Sequence, residues 1–269
     1  MKLPSCTEED RLRFSLLALF FAVALANATV CWGHPDLIAQ IEALTVRLAA
    51  QPDNVELLLK RGDLHRRHQD YAAAARDFDQ AARIHPTHLM LDFYRGRLQQ
   101  ETGNSGAADR LFAGYLERRP GHAKAWKLRG EVNLSRGVPE QAAGYFKKAI
   151  ELATSPSPDL YRLRVMALIA AGEPHWSKAM ESVEKGLNRF GLEMTLLGLG
   201  TDISLASGQT NRANELIGRL PGKLMKLPQW TARNQLLTCF LKQSSFYCLQ
   251  QARTFLGKRA QSFLRDYSS

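Results

Sequence analysis

Leu37, Ile41, Leu44 and Leu48 are spaced four, three and four residues apart, with mostly polar or small side chains between them. That spacing predicts one amphipathic helix over residues 36–50. From residue 55 a longer period takes over. Gly62, Gly96 and Gly130 are 34 apart, and so are Ala74, Ala108 and Ala142, and Phe78, Phe112 and Phe146. Ala81, Tyr115 and Ala149 make a further track, and Pro86 and Pro120 another. Independent tracks that share one period signal a repeated supersecondary unit. Gly103, Asn104 and Ser105, then Gly137, Val138 and Pro139, supply a turn inside each unit, so the unit is a pair of helices. A small residue at the eighth position lets the first helix approach its neighbour. Alanine at the twentieth lets the second helix cross the first, and an aromatic four residues later fills the space beside it. Each hairpin leaves an apolar face bare, so it is stable only when stacked on the next.

Leu58, Gly62, Tyr71, Ala74, Phe78, Ala81 and Pro86 in the first unit resemble the signature positions of the tetratricopeptide repeat, as do Trp126, Gly130, Ala142, Phe146 and Ala149 in the third. The resemblance is strong over residues 55–154 and implies an all-α fold, a right-handed superhelical solenoid of antiparallel helix pairs. Residues 35–52 then cap the first of three clear units. Ala179, Val183 and Gly186 restart the second-helix tracks, and Ala213 and Ile217 follow the first two at 34. Residues 155–222 therefore read as two degenerate units, the fifth expected to pack loosely because Gly198 and Gly200 stand where bulk is usual. From Trp230 the tracks fail. Residues 223–269 read as a degenerate cap with a frayed basic end, or as a tail that folds on a partner.

The N-terminus carries an address. From Phe14 to Gly33 there is no charged residue, Arg11 and Arg13 precede the stretch, and Ala26, Asn27 and Ala28 give the small–x–small pattern of a cleavage site. Residues 1–28 are thus expected to be a secretory signal peptide, the alternative being an uncleaved membrane anchor. Glu8, Glu9 and Asp10 are unusual at the front of a signal. Val30 before Cys31 argues against lipid attachment. The expected location is periplasmic or secreted.

A net charge of +10 changes the picture only at the C-terminal end, where residues 223–269 hold eight basic side chains against Asp266 alone. Such a tail suits an acidic partner or an anionic surface. Without an RNP-like stretch, a Cys/His finger or a phosphate loop, nucleic acid is not the expected partner. On one straight helix Cys239 and Cys248 would lie about 13 Å apart, too far to bridge. A turn at Gln243, Ser244 and Ser245 would make a disulfide feasible; two buried thiols are the slightly favoured reading. His65 and His68, or His85 and His88, have spacings that could ligate a metal. However, Arg66 and Arg67 oppose a cation, and His88 and His122 share a loop position 34 apart, so no metal or cofactor is expected. Asp77 with Asp79, and Glu181 with Glu184, fall on second helices, which should form a solvated convex face, so no enzyme activity is expected.

Binding is the positive expectation. The resemblance implies that positions two, five, nine and twelve of the first helices line a concave groove. Here these are Glu56, Leu59, Asp63 and Arg66, then Met90, Phe93, Arg97 and Gln100, then Lys124, Lys127, Glu131 and Leu134. Phe93 is either an interface anchor or filler between first helices. Leu59 and Asp63 stand where one subfamily needs Lys and Asn to clamp a peptide's C-terminal carboxylate, so that specificity is not implied. The mixed signs suit a peptide or protein carrying both charges, in a non-enzymatic adaptor. The alternative is a membrane-tethered assembly or regulatory subunit that uses its basic end on an anionic surface.

Overall fold

The computed structural model describes residues 35–243 and 246–268; the expected signal peptide lies outside them. All regular structure in the described residues is helical. Helix α1 (Pro35–Ala50) precedes five hairpins: α2 (Val55–Arg67) with α3 (Tyr71–Ile84), α4 (Leu91–Glu101) with α5 (Ser105–Arg118), α6 (Ala123–Ser135) with α7 (Pro139–Leu152), α8 (Pro158–Ala170) with α9 (Trp176–Phe190), and α10 (Met194–Ala206) with α11 (Thr210–Gly218). Two further helices follow, α12 (Pro228–Gln243) and α13 (Phe246–Ser268). Each helix packs on its sequence neighbour, which is the stacking a solenoid requires.

Local chemistry sets the helix starts. Asn54 accepts a hydrogen bond from the Leu57 amide at 3.1 Å, Asp70 from Ala73 at 2.9 Å, and Glu193 from Leu196 at 2.6 Å, each satisfying an amide that the first turn leaves without a partner. The turn inside each early unit needs one residue with positive φ. Gly103 and Gly137 fill that place at +80° and +71°, and Gln69, 34 residues before Gly103, does so at +65°. A side chain there is strained by about 1 kcal/mol, so Gln69→Gly should raise the urea midpoint slightly. A fall instead would mean that the Gln69 side chain contributes contacts that outweigh its backbone.

The small-residue track has a direct steric cause. A Cβ on Gly62 would lie 2.4 Å from the Phe78 ring, on Gly96 2.9 Å from Phe112, and on Gly130 2.5 Å from Phe146. All three rings and Ala74, Ala108 and Ala142 are fully buried. The degenerate units use the same device with other partners. A Cβ on Gly200 would meet Val183 at 2.9 Å, one on Gly186 would meet Leu196 at 2.4 Å, and one on Gly198 would meet the Arg233 guanidinium at 3.1 Å. Every residue of α10 from Leu196 to Ala206 is buried. The fifth hairpin is therefore tightly packed, contrary to the expectation from its glycines: they admit neighbours rather than leave space.

The C-terminal region also differs from the expectation of a frayed end. Helix α13 folds back and packs on the first helices α6, α8 and α10, with α12 beside it. Cys248, Ala252, Leu256, Ala260 and Phe263 form its buried stripe. At steps of four, four, four and three, they line one helix face. Arg253 reaches Glu173 at 2.6 Å and the Ala206 carbonyl at 3.2 Å, Arg259 pairs with Asp202, and Tyr267 reaches Arg162 near Glu131. Cys239 and Cys248 are joined by a disulfide, with Cα atoms 6.0 Å apart across the α12–α13 turn, so the free-thiol reading is corrected. Cys239 lies on α12, which ends at Gln243, and Cys248 on α13, which begins at Phe246, so the separation that one straight helix would impose does not apply. Closing so short a loop stabilises by about 2–3 kcal/mol, and Cys239→Ser should lower stability by that much in non-reducing buffer. A variant whose melting matches the parent's would show that this turn persists without its covalent link.

Candidate concave groove

Helix α13 divides the concave face. Over α8, α10 and part of α6 the chain covers its own groove, and the open part is lined by α2, α4 and the start of α6. The expected groove residues sort accordingly. Leu59, Phe93 and Leu134 are buried in the core between helices. Phe93 packs against Tyr94, Phe112, Tyr115 and His122, which makes it filler. Lys127 and Glu131 pair with each other at 3.4 Å, beside Asp159 and under the end of α13. Glu56 is exposed and holds His88 at 3.0 Å. Met90 and Gln100 are half-buried.

The remaining four come together. Asp63 accepts from Arg66 at 3.0 Å and from Arg97 at 2.9 Å, so one carboxylate bridges two successive units. Arg66 is buried and also pairs with Glu101. Arg97 lies 5.9 Å over the Phe93 ring. Lys124, on the third unit, has no ion pair among the described residues. Burial first, then the positive charges of Arg97, Arg66 and Lys127, pull its pKa below the usual lysine value against the opposing pull of Asp63. An ammonium in that position gains from an incoming anion, because both terms penalise its unpaired charge.

Sequence reasoning missed Tyr94. Its ring is half-buried beside Asp63, and burial then raises its pKa. With Gln40, Leu44, Arg47, Lys60 and Asp63 it lines a cavity of about 400 Å³ between α1, α2 and α4. Nothing in the repeat tracks marks this site, because it forms where α1 replaces a complete preceding unit. Asp77 also departs from expectation. It is buried and takes a bidentate pair from Arg61 at 2.6 and 2.9 Å, so it binds two helices together instead of facing solvent.

His122 lies at the groove's edge with Nδ1 2.7 Å from the Tyr115 hydroxyl. Burial, then Lys124 and Arg119, lower its pKa from the usual 6.5. A folded pKa below the unfolded one means that the unfolded chain binds more protons between the two values. The stabilisation is therefore complete above about pH 6.5 and is lost as pH falls toward the folded value. Melting temperature should drop on acidification through this window, and less steeply in His122→Gln. An identical pH slope in that variant would assign the effect to other groups.

The comparisons agree with this architecture. The sequence model of the tetratricopeptide repeat matches residues 39–88 and 95–157. No curated protein matches the sequence. Among solved structures the chain is similar to YrrB, a TPR protein with an unusual peptide-binding site (TM-score 0.60, 13% identity, covering 72% of this chain and 99% of that one). It is also similar to Pseudomonas aeruginosa PilF (TM-score 0.56, 13% identity, 85% and 99% covered) and to a tetratricopeptide repeat protein from Parabacteroides merdae (TM-score 0.52, 18% identity, 87% and 91% covered). At these identities the likeness concerns the fold, an all-α solenoid like that of tetratricopeptide-repeat proteins, and the family model places tetratricopeptide repeats in this chain over residues 39–88 and 95–157.

Proposed function

We propose that this protein is a non-enzymatic scaffold that holds a peptide or protein segment in the open groove formed by α2, α4 and α6, outside the cytoplasm. The observation that carries the reading is the linked set Asp63, Arg66, Arg97 and Lys124. It sets cationic groups on three successive first helices, with Arg66 buried, Arg97 partly exposed and Lys124 exposed among the described residues. A ligand carboxylate would meet Lys124 and Arg97, while Glu56 and Asp63 leave a place for a basic residue further along. Tetratricopeptide repeats generally serve as protein-binding scaffolds, and YrrB, with the same fold, has a peptide-binding site, which supports a groove ligand here. The Cys239–Cys248 disulfide supports an oxidising compartment, in keeping with the signal-like residues 1–28.

A displayed peptide library selected on the full chain tests the groove. Enriched peptides should carry an acidic residue and lose about tenfold or more in affinity with Lys124→Glu or Arg97→Glu, since each reverses a charge in direct contact. Arg83→Glu, on a second helix, should leave them unchanged. Peptides indifferent to all three substitutions would place binding elsewhere. For the compartment, N-terminal sequencing of a C-terminally tagged form decides: a start near Thr29 or His34 in the extracytoplasmic fraction supports export, and an intact start in the cytosol overturns it.

A further inference from the structure

Nine large hydrophobic side chains are exposed among the described residues, and three of them fall within seven positions: Leu241 (67% exposed), Phe246 (81%) and Tyr247 (61%). They stand on both sides of the α12–α13 turn, at a tip that the Cys239–Cys248 disulfide staples. Single exposed hydrophobes need no explanation, but a clustered set on a constrained projection does. The exposed lysines near them have one sign of charge. Lys242 is in the tip and Lys258 follows on α13, Arg253 being engaged with Glu173, and the sequence has no acidic residue between Glu215 and Asp266. Behind the tip, a groove of about 590 Å³ between α12 and α13 is lined by Leu236, Tyr247, Thr254, Phe255 and Lys258.

We propose that this stapled tip docks on an anionic lipid surface, with Leu241, Phe246 and Tyr247 entering the headgroup–acyl boundary and Lys242 and Lys258 facing lipid phosphates. The chemistry is that of interfacial attachment, in which apolar and aromatic side chains supply burial and flanking cations supply attraction. A protein partner would need complementary acids to meet the cations and a matching surface for the projection; a fluid anionic interface supplies both without specific fit. The staple matters because a covalent link between the two helix ends reduces the freedom lost on docking. The surface is separate from the open groove, which lies at the other end of the stack, so a groove ligand and a membrane could be held together.

The test reads the tip itself, because the apolar stretch between residues 14 and 33 could attach the full chain to lipid by its own burial. Full-length Phe246→Trp is mixed with vesicles of brominated phosphatidylglycerol or brominated phosphatidylcholine, and its emission is taken as the difference from the parent protein. The proposal expects a blue shift and about twofold quenching on the anionic vesicles and much less on the zwitterionic ones. Quenching on the anionic vesicles should fall when Leu241→Gln and Tyr247→Gln are added and when Lys242→Glu is added. All of these positions are exposed, so thermal melting should not move. No quenching while the protein cosediments with anionic vesicles would overturn the proposal, as would equal quenching on both lipids. A dimer in sedimentation velocity that Leu241→Gln and Tyr247→Gln abolish would assign the patch to a second copy of the chain instead.

Discussion

Phe146→Ala should cost about 3–5 kcal/mol, read as the shift in the urea midpoint at constant m-value. The ring is fully buried and lies where a Cβ on Gly130 would sit 2.5 Å away, so its removal opens a space that neither backbone can close. The reverse change gives the matching loss. Gly130→Ala gains about 1 kcal/mol of helix propensity, yet the new methyl meets a ring with no free volume, and overpacking costs about 1–3 kcal/mol. The clash should outweigh the propensity gain. Phe146→Leu in the Gly130→Ala background should then recover part of the loss, a positive coupling between two sites in contact. If Gly130→Ala melts like the parent, close approach is not the reason for glycine on this track, and the steric account of the 34-residue period falls with it.

Arg233→Ala should be of comparable severity, about 3–5 kcal/mol, for an electrostatic reason. Asp202 is buried inside α10 and receives both Nε and Nη2 of Arg233, at 2.6 and 2.8 Å. The guanidinium is 4.8 Å from the Trp230 ring and abuts Gly198, so the pair fills a slot shaped for it. Losing the arginine strands a carboxylate away from water with only Arg259, itself about a third exposed, still in reach. Because the pair is desolvated, the loss should change little between low and high salt. Asp202→Leu combined with Arg233→Met should restore most of the stability, since two apolar side chains avoid the desolvation that the charges suffer. A double variant no better than the single one would show that the pair is needed for geometry rather than for charge neutrality.

Legibility in the sequence followed how often a contact recurs. The glycine–phenylalanine approach is made three times at a fixed interval, so Gly62, Gly96 and Gly130 betray it without coordinates. Gly186, Gly198 and Gly200 make equivalent approaches, but to Leu196, Arg233 and Val183, and a partner that changes every time leaves no track. Groove assignments by position failed for Leu59, Phe93 and Leu134 because a first-helix residue at those positions can turn into the seam between neighbouring helices, and apolar side chains do so. The place of α13 was not legible for another reason. Its stripe of Cys248, Ala252, Leu256, Ala260 and Phe263 announces an amphipathic helix, but periodicity names the face that is covered and not what covers it. Tyr94 escaped because the cavity that it lines is completed by Gln40, Leu44 and Arg47 of α1, outside the repeat.

The return of α13 onto α6 alters how the array should come apart. In a linear stack each unit holds only its neighbours, so opening begins at either end and travels inward in small steps. Here the last helix is fastened to the middle of the array, through pairs as far apart in sequence as Arg253 and Glu173. The segment from α6 to α13 is thus a closed loop of contacts that must open as one cooperative block, while α1 to α5 keep the freedom to fray. Native-state hydrogen exchange would see this as one high, shared opening energy across the second half and graded, lower ones in the first. Folding should be asymmetric too, with the early hairpins forming from local contacts and the closing of the loop as the slow step, since its partners are the most distant along the chain.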